Sequence, residues 1–505
     1  MTTVLAIDQS TSATKALLFD EKGNRLDRES REHEQHYPQP GWVEHDAEEI
    51  WQNLLDVVKT LLRRNPERAG QLASISLTNQ RETIVIFDRA SGEPLFPAIV
   101  WQCRRSAEIC DAHTQAGNGP LIHERTGLLL DAYFSGSKLQ WMIQNHSGLK
   151  EKLCSGEALI GTIDTYLIYR LTKGRVFATD STNASRTLLY DIGALRWDKD
   201  LCELFEVPME ALAEVRESAA HFGESDLGGE LLAPVPIVGV MGDSQAALFA
   251  QRCFEPGTAK VTFGTGSSVM LNIGGELKLS AAGVVTALAW VRNGKPTYAF
   301  EGIIINSAAT LKWLQNQIGL FQDVEELDAL ARDVENSGGV YLVPAFSGLG
   351  LPHWSPSARA AIVGLSDHSD RRHIARAAVE SIAYQLRDAL DAMQSESGVS
   401  SNLVKADGGP TANELLMQFT ADMTGTELEV PDVPDCSPLG AVLMGLLGLG
   451  FYPSLESISN LALDGRNFRP SMSSAKVDIH HNGWQTAVRQ VLAGVTEENS
   501  QENDQ

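Results

Sequence analysis

The sequence has little positive charge and no paired cysteine motif. Lysine and arginine number 41 against 65 aspartate and glutamate residues, which gives a net charge of −24 over 505 residues. Such a surface repels nucleic acid and anionic membranes, so we expect neither as a partner. The six cysteines are scattered and none forms a C-x-x-C pair. This pattern is typical of reduced thiols in a cytoplasmic protein.

Long apolar runs and targeting segments are also lacking. The stretch 436–455 carries no charge, but it contains four glycines and two prolines. Its unbroken apolar part is shorter than the ~18–20 residues that span a bilayer, so it predicts a buried, glycine-rich helix. The N-terminus MTTVLAIDQ has no basic region and leads directly into a strand. We therefore expect no signal peptide and a cytoplasmic location.

Three common catalytic motifs are absent as well. The chain has no H-E-x-x-H pair, no Walker A pattern and no G-x-S-x-G in a strand–turn–helix setting. The sequence therefore gives no sign of a zinc protease, a Walker-type nucleotide loop or a serine hydrolase.

What the sequence does contain is two apolar hairpins whose tips are built from small residues. In the first, the strand that ends at Asp8 is followed by hydroxyl residues and Lys15 before a second apolar run. In the second, the tip is Gly264-Thr265-Gly266 within 261–271. A carboxylate suits Mg²⁺, and turn amides and hydroxyls suit phosphoryl oxygens. Two such tips predict two related domains that close on one nucleotide.

The length and the local patterns support this division. Strand-like and helix-like segments alternate in the first 100 residues, which predicts an α/β architecture. We place the boundary near residue 250, giving domains 1–250 and 251–495 and a disordered acidic tail at 496–505. Helical spacing of apolar residues predicts a long core helix over 373–393.

Two aspartates are candidates for the chemistry. Asp8 and Asp243 each follow an apolar strand and precede a turn or helix of small residues. Either could simply be a turn or capping aspartate. Together they suggest that Asp8 holds Mg²⁺ and that Asp243 accepts a proton from a substrate hydroxyl, a contribution of roughly 10²–10⁴-fold.

Other polar groups suggest ligand contacts, each with a plainer alternative. Arg81 and Glu82 follow an apolar strand and could grip neighbouring hydroxyls of a polyol, or form a surface turn. Trp101 and Tyr133 could wall that pocket or belong to the core. Lys15 could neutralise a phosphoryl oxygen or be solvated. The turn 407–413 could approach a nucleotide base, with Asn413 bonding to it, or be an ordinary tight turn.

At this point the residues resemble the FGGY carbohydrate kinases, most closely their glycerol kinase branch, over about 4–455. The specific segments are GWVEHD (41–46), TNQRET (78–83), AIVWQCRRS (98–106), YFSGSKLQW (133–141), DTYLIYRLT (164–172), TDSTNASRT (179–187), VPAFSGLGLPHW (343–354), ESIAYQLRDAL (380–390) and DGGPTANELLMQF (407–419). The resemblance implies two actin-like, ribonuclease H-like domains with ATP and a polyol in the cleft between them.

The resemblance also implies roles for single residues. It assigns Asp8 to Mg²⁺ and Asp243 to catalysis as the base. The implied polyol contacts are Arg81, Glu82, Trp101, Tyr133, Asp243 and Ser244. The implied ATP contacts are Thr11, Ser12, Ala13, Lys15, Thr265, Gly266, Ala308, Lys312, Gly409 and Asn413.

The sequence departs from the glycerol kinase pattern at several of these positions. Ser244 replaces a glutamine and Ser268 an aromatic residue in the polyol pocket, which makes a larger, more polar substrate plausible. Ser10 replaces a glycine and Lys15 an arginine in the first tip, and Ala308 and Lys312 replace glycine and glutamine near the adenine. The loop 228–234 has no cation, so we expect no inhibition by fructose 1,6-bisphosphate.

We therefore expect an ATP- and Mg²⁺-dependent kinase that phosphorylates a terminal hydroxyl of a small polyol, with glycerol first. A close alternative is a kinase for a larger polyol or ketose, such as erythritol, xylitol or a xylulose-like sugar. An alternative of another class is an actin- or Hsp70-like ATPase or nucleotide-dependent binding protein. The assembly stays open between a homodimer and a homotetramer.

Overall fold

A computed structural model describes residues 2–433 and 435–502, with the side chains of 495–502 left out. Up to residue 250 the strands are β1 Thr3–Gln9, β2 Ala13–Asp20, β3 Arg25–Glu32, β4 Glu44–His45, β5 Leu72–Asn79, β6 Ile84–Asp88, β7 Ala98–Ile99, β8 Ala158–Thr162, β9 Ala178–Asp180, β10 Tyr190–Asp191, β11 Arg196–Trp197, β12 Glu214–Arg216, β13 His221–Ser225 and β14 Val235–Gly242. The helices are α1 Ala47–Arg64, α2 Pro66–Ala69, α3 Ala107–Gln115, α4 Gly119–Thr126, α5 Ser135–Asn145, α6 Leu149–Ser155, α7 Ile163–Leu171, α8 Ser181–Ala184, α9 Lys199–Leu204 and α10 Asp243–Ala250.

Beyond residue 250 the strands are β15 Thr258–Phe263, β16 Ser267–Gly274, β17 Val285–Arg292, β18 Lys295–Ile304, β19 Tyr341–Val343, β20 Ala361–Val363, β21 Leu403–Asp407, β22 Glu427–Pro431 and β23 Gly465–Phe468. The helices are α11 Ala308–Trp313, α12 Val324–Arg332, α13 Arg371–Ser397, α14 Glu414–Thr424, α15 Cys436–Gly448, α16 Leu455–Ser459 and α17 Ser474–Glu502. The tail predicted for 496–505 falls on residues described only by their backbone and on 503–505, which lie outside the described residues.

The two halves contain sheets with the same internal order. The strand order is β13-β14-β5-β1-β2-β3 in the first half and β17-β18-β16-β15-β21-β22-β23 in the second. The first order, read from β3 back to β13, corresponds strand for strand to the second read from β18 to β23. Each sheet has an antiparallel hairpin at its centre (β1–β2 and β15–β16), followed on one side by parallel strands. This repeat confirms the expected α/β class with two actin-like domains.

The predicted glycine-rich helix joins the two halves. It runs over Cys436–Gly448 and is thus shorter than the predicted 436–455. Its apolar side chains pack with Val4 and Ala6 of β1 and with α10 in one buried cluster. A segment late in the chain therefore covers the first sheet, so α10 and α15 form the floor of the cleft.

A smaller sheet supplies the other wall of the first half. Its order is β4-β7-β6-β8, and α4, α5 and α6 pack beside it around a separate apolar cluster. Trp101 and Tyr133 lie at the edge of that cluster, which places them above the cleft. Among the described residues, all six cysteines are free and no helix is long and apolar enough to cross a membrane.

Candidate active site

Two adjoining cavities open between the halves, and each is lined from both of them. The first has a volume of about 830 Å³ and is lined by Asp8 and Lys15 on one side and by Gly409 on the other. The second has a volume of about 910 Å³ and brings Asp243 opposite the turn 264–266. Thr262 lines both cavities, so the two aspartates lie on one continuous cleft.

The first hairpin tip lies at the edge of this cleft. The Ser10 amide donates to the Ala13 carbonyl over 3.0 Å and closes the turn, which leaves Thr11 half-buried and Ser12 exposed. Thr11 Oγ1 accepts a hydrogen bond from Trp101 Nε1 at 3.0 Å. The predicted phosphate-binding tip and the predicted wall of the polyol pocket are therefore in direct contact.

Strand pairing places Lys15 beside Asp8. The two residues are cross-strand partners in the β1–β2 ladder, and Lys15 Nζ lies 2.8 Å from Asp8 Oδ2. Burial raises the pKa of Asp8, the charge of Lys15 acts against that shift, and the negative charge of Asp243 adds to it. Lys15 thus neutralises the carboxylate that was expected to face Mg²⁺.

The second tip is fixed by the start of α11. Ser307 and Ala309 donate their amides to the Thr265 carbonyl at 2.9 and 3.1 Å, and Thr265 itself is exposed to the cleft. A Cβ on Gly266 would come within 2.6 Å of the Ile304 carbonyl oxygen. This position therefore requires glycine, and the tip presents backbone rather than side chains to a ligand.

Asp243 is the first residue of α10, at the point where β14 ends. Its side chain is 39% exposed, and its Oδ1 lies 3.1 Å from Arg81 Nε. The same oxygen accepts the Ser244 amide at 2.6 Å. The carboxylate is therefore oriented by two donors and remains open to the cavity.

Below Asp243 lies a buried ring of two arginines and two glutamates. Arg81 Nη2 lies 2.7 Å from Glu301 Oε1, and Arg186 Nη1 lies 2.6 Å from Glu301 Oε2. Arg186 Nε donates to Glu82 Oε1 at 2.5 Å. Burial acts to raise the pKa of Glu301, but Arg186 and Arg81 outweigh it and lower that pKa to about 2. Since Glu301 belongs to β18, this ion pair joins the two halves.

Two aromatic side chains, Tyr133 and Trp101, cover the buried ring of arginines and glutamates. Tyr133 packs against Trp101 with the ring centroids 5.3 Å apart, and both line the second cavity with Arg81 and Glu82. Burial and the charge of Glu82 raise the pKa of Tyr133, so its hydroxyl stays protonated. All six predicted polyol residues, Arg81, Glu82, Trp101, Tyr133, Asp243 and Ser244, therefore lie in one pocket.

The predicted adenosine residues are more dispersed. Gly409 lines the first cavity, Ala308 begins α11, and Lys312 is exposed on the same helix. Asn413 Oδ1 accepts the Leu416 amide at 2.9 Å as the N-cap of α14. Ala308, Lys312 and Asn413 are not among the residues that line the two cavities.

Sequence reasoning missed Arg186, Gln245 and Glu301 as members of the site. Arg186 lies within the segment 179–187, whose resemblance to the family was noted without a role for the arginine. Gln245, the residue directly after Ser244, accepts a hydrogen bond at its Oε1 from Arg81 Nη1 at 3.2 Å. Glu301 stands in an apolar strand with no recognisable motif, so only the sheet order could reveal it.

Comparisons with known proteins agree on one family. Residues 3–250 match the family model described as "FGGY family of carbohydrate kinases, N-terminal domain", and residues 259–449 match the corresponding C-terminal domain. The chain is 46% identical to glycerol kinase from Desulfitobacterium hafniense over 97% of this chain and 99% of that protein. It is 45% identical to glycerol kinase 1 from Thermotoga maritima over the same shares.

Solved structures show the same fold. A crystal structure of Plasmodium falciparum glycerol kinase with ADP superposes with a TM-score of 0.93 at 37% identity, covering 97% of this chain and 98% of that one. A ligand-bound xylulose kinase from Lactobacillus acidophilus gives a TM-score of 0.87 at 19% identity, covering 98% and 99%. The second likeness concerns the fold alone.

Proposed function

This chain belongs to the FGGY family of carbohydrate kinases, and from that premise we propose that it transfers the γ-phosphoryl group of ATP to a terminal hydroxyl of a small polyol, with glycerol as the first substrate to test. The observation that carries the proposal is the position of Asp243. Its half-exposed carboxylate lies beside Arg81 in a cavity that also contains both hairpin tips, Thr11 and 264–266. A base, a polyol pocket and a phosphate-binding turn thus share one enclosed space.

In the proposed reaction Asp243 accepts the proton of the substrate hydroxyl. The oxygen then bonds to the γ-phosphorus, the bond from that phosphorus to the β–γ bridging oxygen breaks, and ADP leaves with the electron pair. Arg81, Glu82 and Tyr133 hold the hydroxyls of the polyol. Closure of the two halves excludes water and so limits wasteful hydrolysis of ATP.

The nucleotide is proposed to lie along the two tips. Thr11, Ser12, Ala13 and Lys15 face the phosphates from the first half, and Thr265 and Gly266 face them from the second. Ala308, Lys312, Gly409 and Asn413 are proposed to hold the adenosine. Two relatives at 46% and 45% identity are glycerol kinases, and the Plasmodium falciparum glycerol kinase was solved with ADP, which supports ATP as the phosphoryl donor.

The carboxylate of Asp8, which lines the first cavity, fits a magnesium ion that arrives with the nucleotide. Within the described ranges no group of three or more His, Cys, Asp or Glu residues could hold a metal, so the protein offers no complete cage. Mg²⁺ is commonly bound by one or two carboxylates together with substrate phosphates and water. Asp8 would hold it, through water, and the ion would supply charge stabilisation to the phosphates.

Free thiols support a cytoplasmic location, which we propose for the chain. We also propose a homo-oligomer, with the choice between a homodimer and a homotetramer left to a sedimentation measurement.

The test is a coupled ADP-release assay over glycerol, the C4 to C6 polyols and the ketoses, with kcat/KM for each. We expect turnover that depends on the polyol and on Mg²⁺. ATP hydrolysis at full rate without any polyol would contradict the proposal and favour an actin- or Hsp70-like ATPase.

A second candidate, a kinase for a longer polyol, is favoured by one observation at the wall of the pocket. Ser268 stands between Thr262 and Ile303 in neighbouring strands, and all three line the second cavity. Its Oγ is buried and has no hydrogen-bond partner among the residues that the structure describes. An unpaired buried hydroxyl costs about 1–3 kcal/mol, and an additional substrate hydroxyl would remove that cost.

Ser268→Ala separates the two candidates. If the enzyme uses a C4 or C5 polyol through this hydroxyl, kcat/KM for that substrate falls about tenfold while kcat/KM for glycerol stays within twofold. A preference for glycerol in the native enzyme, unchanged by the substitution, would eliminate the longer substrate.

A further inference from the structure

Lys138 is a buried cation that the proposed chemistry does not use. It lies in the first turns of α5 and its side chain is fully buried. Its Nζ donates to the carbonyl oxygens of Ala132, Tyr133 and Phe134 at 2.5, 2.5 and 3.0 Å. Among the described residues it takes part in no salt bridge, so three successive backbone carbonyls are its partners.

Such an arrangement needs an ammonium group. Three carbonyl dipoles that converge on one point repel one another, and the single nitrogen of a lysine ammonium offers one N–H donor to each of them. Burial lowers the pKa of Lys138 to about 7, although the charges of Glu82 and Asp131 act to raise it. The three acceptors favour the protonated form as well, since each can receive one of its hydrogens.

The segment that Lys138 holds carries one wall of the polyol pocket. Tyr133 packs against Trp101, and the guanidinium carbon of Arg186 lies 5.1 Å from the centroid of the Phe134 ring. The next residue, Ser135, donates its hydroxyl to the Glu82 carbonyl at 2.9 Å.

The hydrogen bond from Ser135 supports Glu82, because the backbone of Glu82 has an unusual conformation. Its φ is 62°, a left-handed value that a non-glycine residue adopts only at a cost of about 1–3 kcal/mol. The segment before α5 therefore supports the residue beside it as well as the tyrosine that it carries.

We propose that Lys138 is a positioning residue that fixes residues 132–135 and, through them, sets Tyr133 and Glu82 for polyol binding before the substrate arrives. This inference rests on the proposed function. The partners of Lys138 Nζ lie in 132–134, outside both hairpin tips, so its removal should affect the polyol more than the nucleotide.

The main experiment is Lys138→Met, which keeps the length of the side chain and removes every donor. Because the segment would then have to be ordered by the substrate, we expect KM for glycerol, or for the best polyol of the screen, to rise about tenfold or more while KM for ATP stays within twofold. Lys405→Met is the matched control. Lys405 pairs with Glu429 at 3.3 Å in the second half, and its loss should leave both KM values unchanged.

A double-mutant cycle shows whether Lys138 acts through Tyr133. If it does, Lys138→Met should lower kcat/KM much less in a Tyr133→Phe background than in the native enzyme, because interacting residues are not additive. Multiplicative losses, an unchanged KM for the polyol, or equal increases in both KM values would overturn the inference.

Hydrogen exchange on the native enzyme tests the same claim if Lys138→Met does not fold. We expect the amides of 133 and 134 to be protected in the ligand-free protein. Rapid exchange that slows only when the polyol is added would overturn the inference. The proposed function fails differently, through the absence of polyol-dependent turnover in the native enzyme.

Discussion

At the scale of single residues, the carboxylate of Asp243 is exposed to the cavity and is also held in one orientation by two donors. Its Oδ1 is held by the Ser244 amide and Arg81, so Asp243→Asn should keep the local geometry and lose only the proton acceptor. We expect kcat to fall by roughly 10²–10⁴-fold and the affinity for ADP, measured by calorimetry, to remain within threefold. Near-normal turnover would remove Asp243 from the proposed role.

Glu301 is the residue on which two arginines from the other half depend. Glu301→Gln removes one of the two glutamates whose negative charge balances the buried Arg81 and Arg186. Breaking such a buried ion pair costs about 3–5 kcal/mol. We expect a lower thermal midpoint together with a higher KM for the polyol, because Arg81 loses one of its anchors.

Glu429→Gln is the control for that measurement. Its ion pair with Lys405 is partly exposed, and such pairs contribute only about 0–1 kcal/mol. Equal destabilisation by the two substitutions would show that the ring of charges has no special role in joining the halves.

At the scale of elements, the glycines of α15 allow two helices and a sheet to meet closely. A Cβ on Gly440 would come 1.8 Å from the Ala246 carbonyl oxygen of α10. Helix propensity alone would make Gly440→Ala stabilising by about 0.5–1 kcal/mol, but overpacking costs about 1–3 kcal/mol. We therefore expect a lower thermal midpoint.

Gly119→Ala is the matched control. Gly119 lies in α4, and a Cβ there would meet no atom of the described part of the chain within 4 Å. The thermal midpoint of Gly119→Ala should stay level or rise. A similar decrease of the thermal midpoint in Gly119→Ala and Gly440→Ala would contradict the role of close packing at α15.

The loop 228–234 supports one further prediction at this scale. Glu230 lies 3.6 Å from Arg63 Nε and 3.9 Å from Lys59 Nζ, so the nearby cations are already neutralised. Fructose 1,6-bisphosphate at up to millimolar concentration should leave the rate of polyol phosphate formation unchanged, while added ADP should inhibit that reaction as a product. Potent inhibition by the bisphosphate would refute this expectation.

At the scale of the whole molecule, acid should weaken the fold despite the high negative charge. Burial, with smaller effects from His33 and His36, lowers the pKa of His45 to about 3. The unfolded chain binds a proton near pH 6.5 and the folded chain does not, so stability falls as the pH drops from 6.5 towards 3. The loss from this residue is about 2 kcal/mol between pH 6.5 and 5.

Thermal unfolding at pH 7.5, 6 and 5 measures this effect. His45→Gln should flatten the decline, because glutamine does not titrate. Relief of repulsion among the net −24 charges works in the opposite direction on acidification, so a midpoint that rises as the pH falls would show that net charge outweighs the buried histidine.

The sequence by itself determined several local elements and pointed to candidate residues for the site. Apolar spacing predicted the helix over 373–393, which the structure extends to Arg371–Ser397, and the small-residue tips were correctly placed between paired strands. These features depend on neighbours in the chain, so local patterns were sufficient to predict them.

Only the tertiary structure decided which distant residues meet. The position of Glu301 beneath Arg81 follows from the order of two sheets. The packing of α15 on the first sheet follows from long-range contacts. Ion pairs between residues more than two hundred positions apart leave no local periodicity, because the free energy that selects them arises only when both halves have folded.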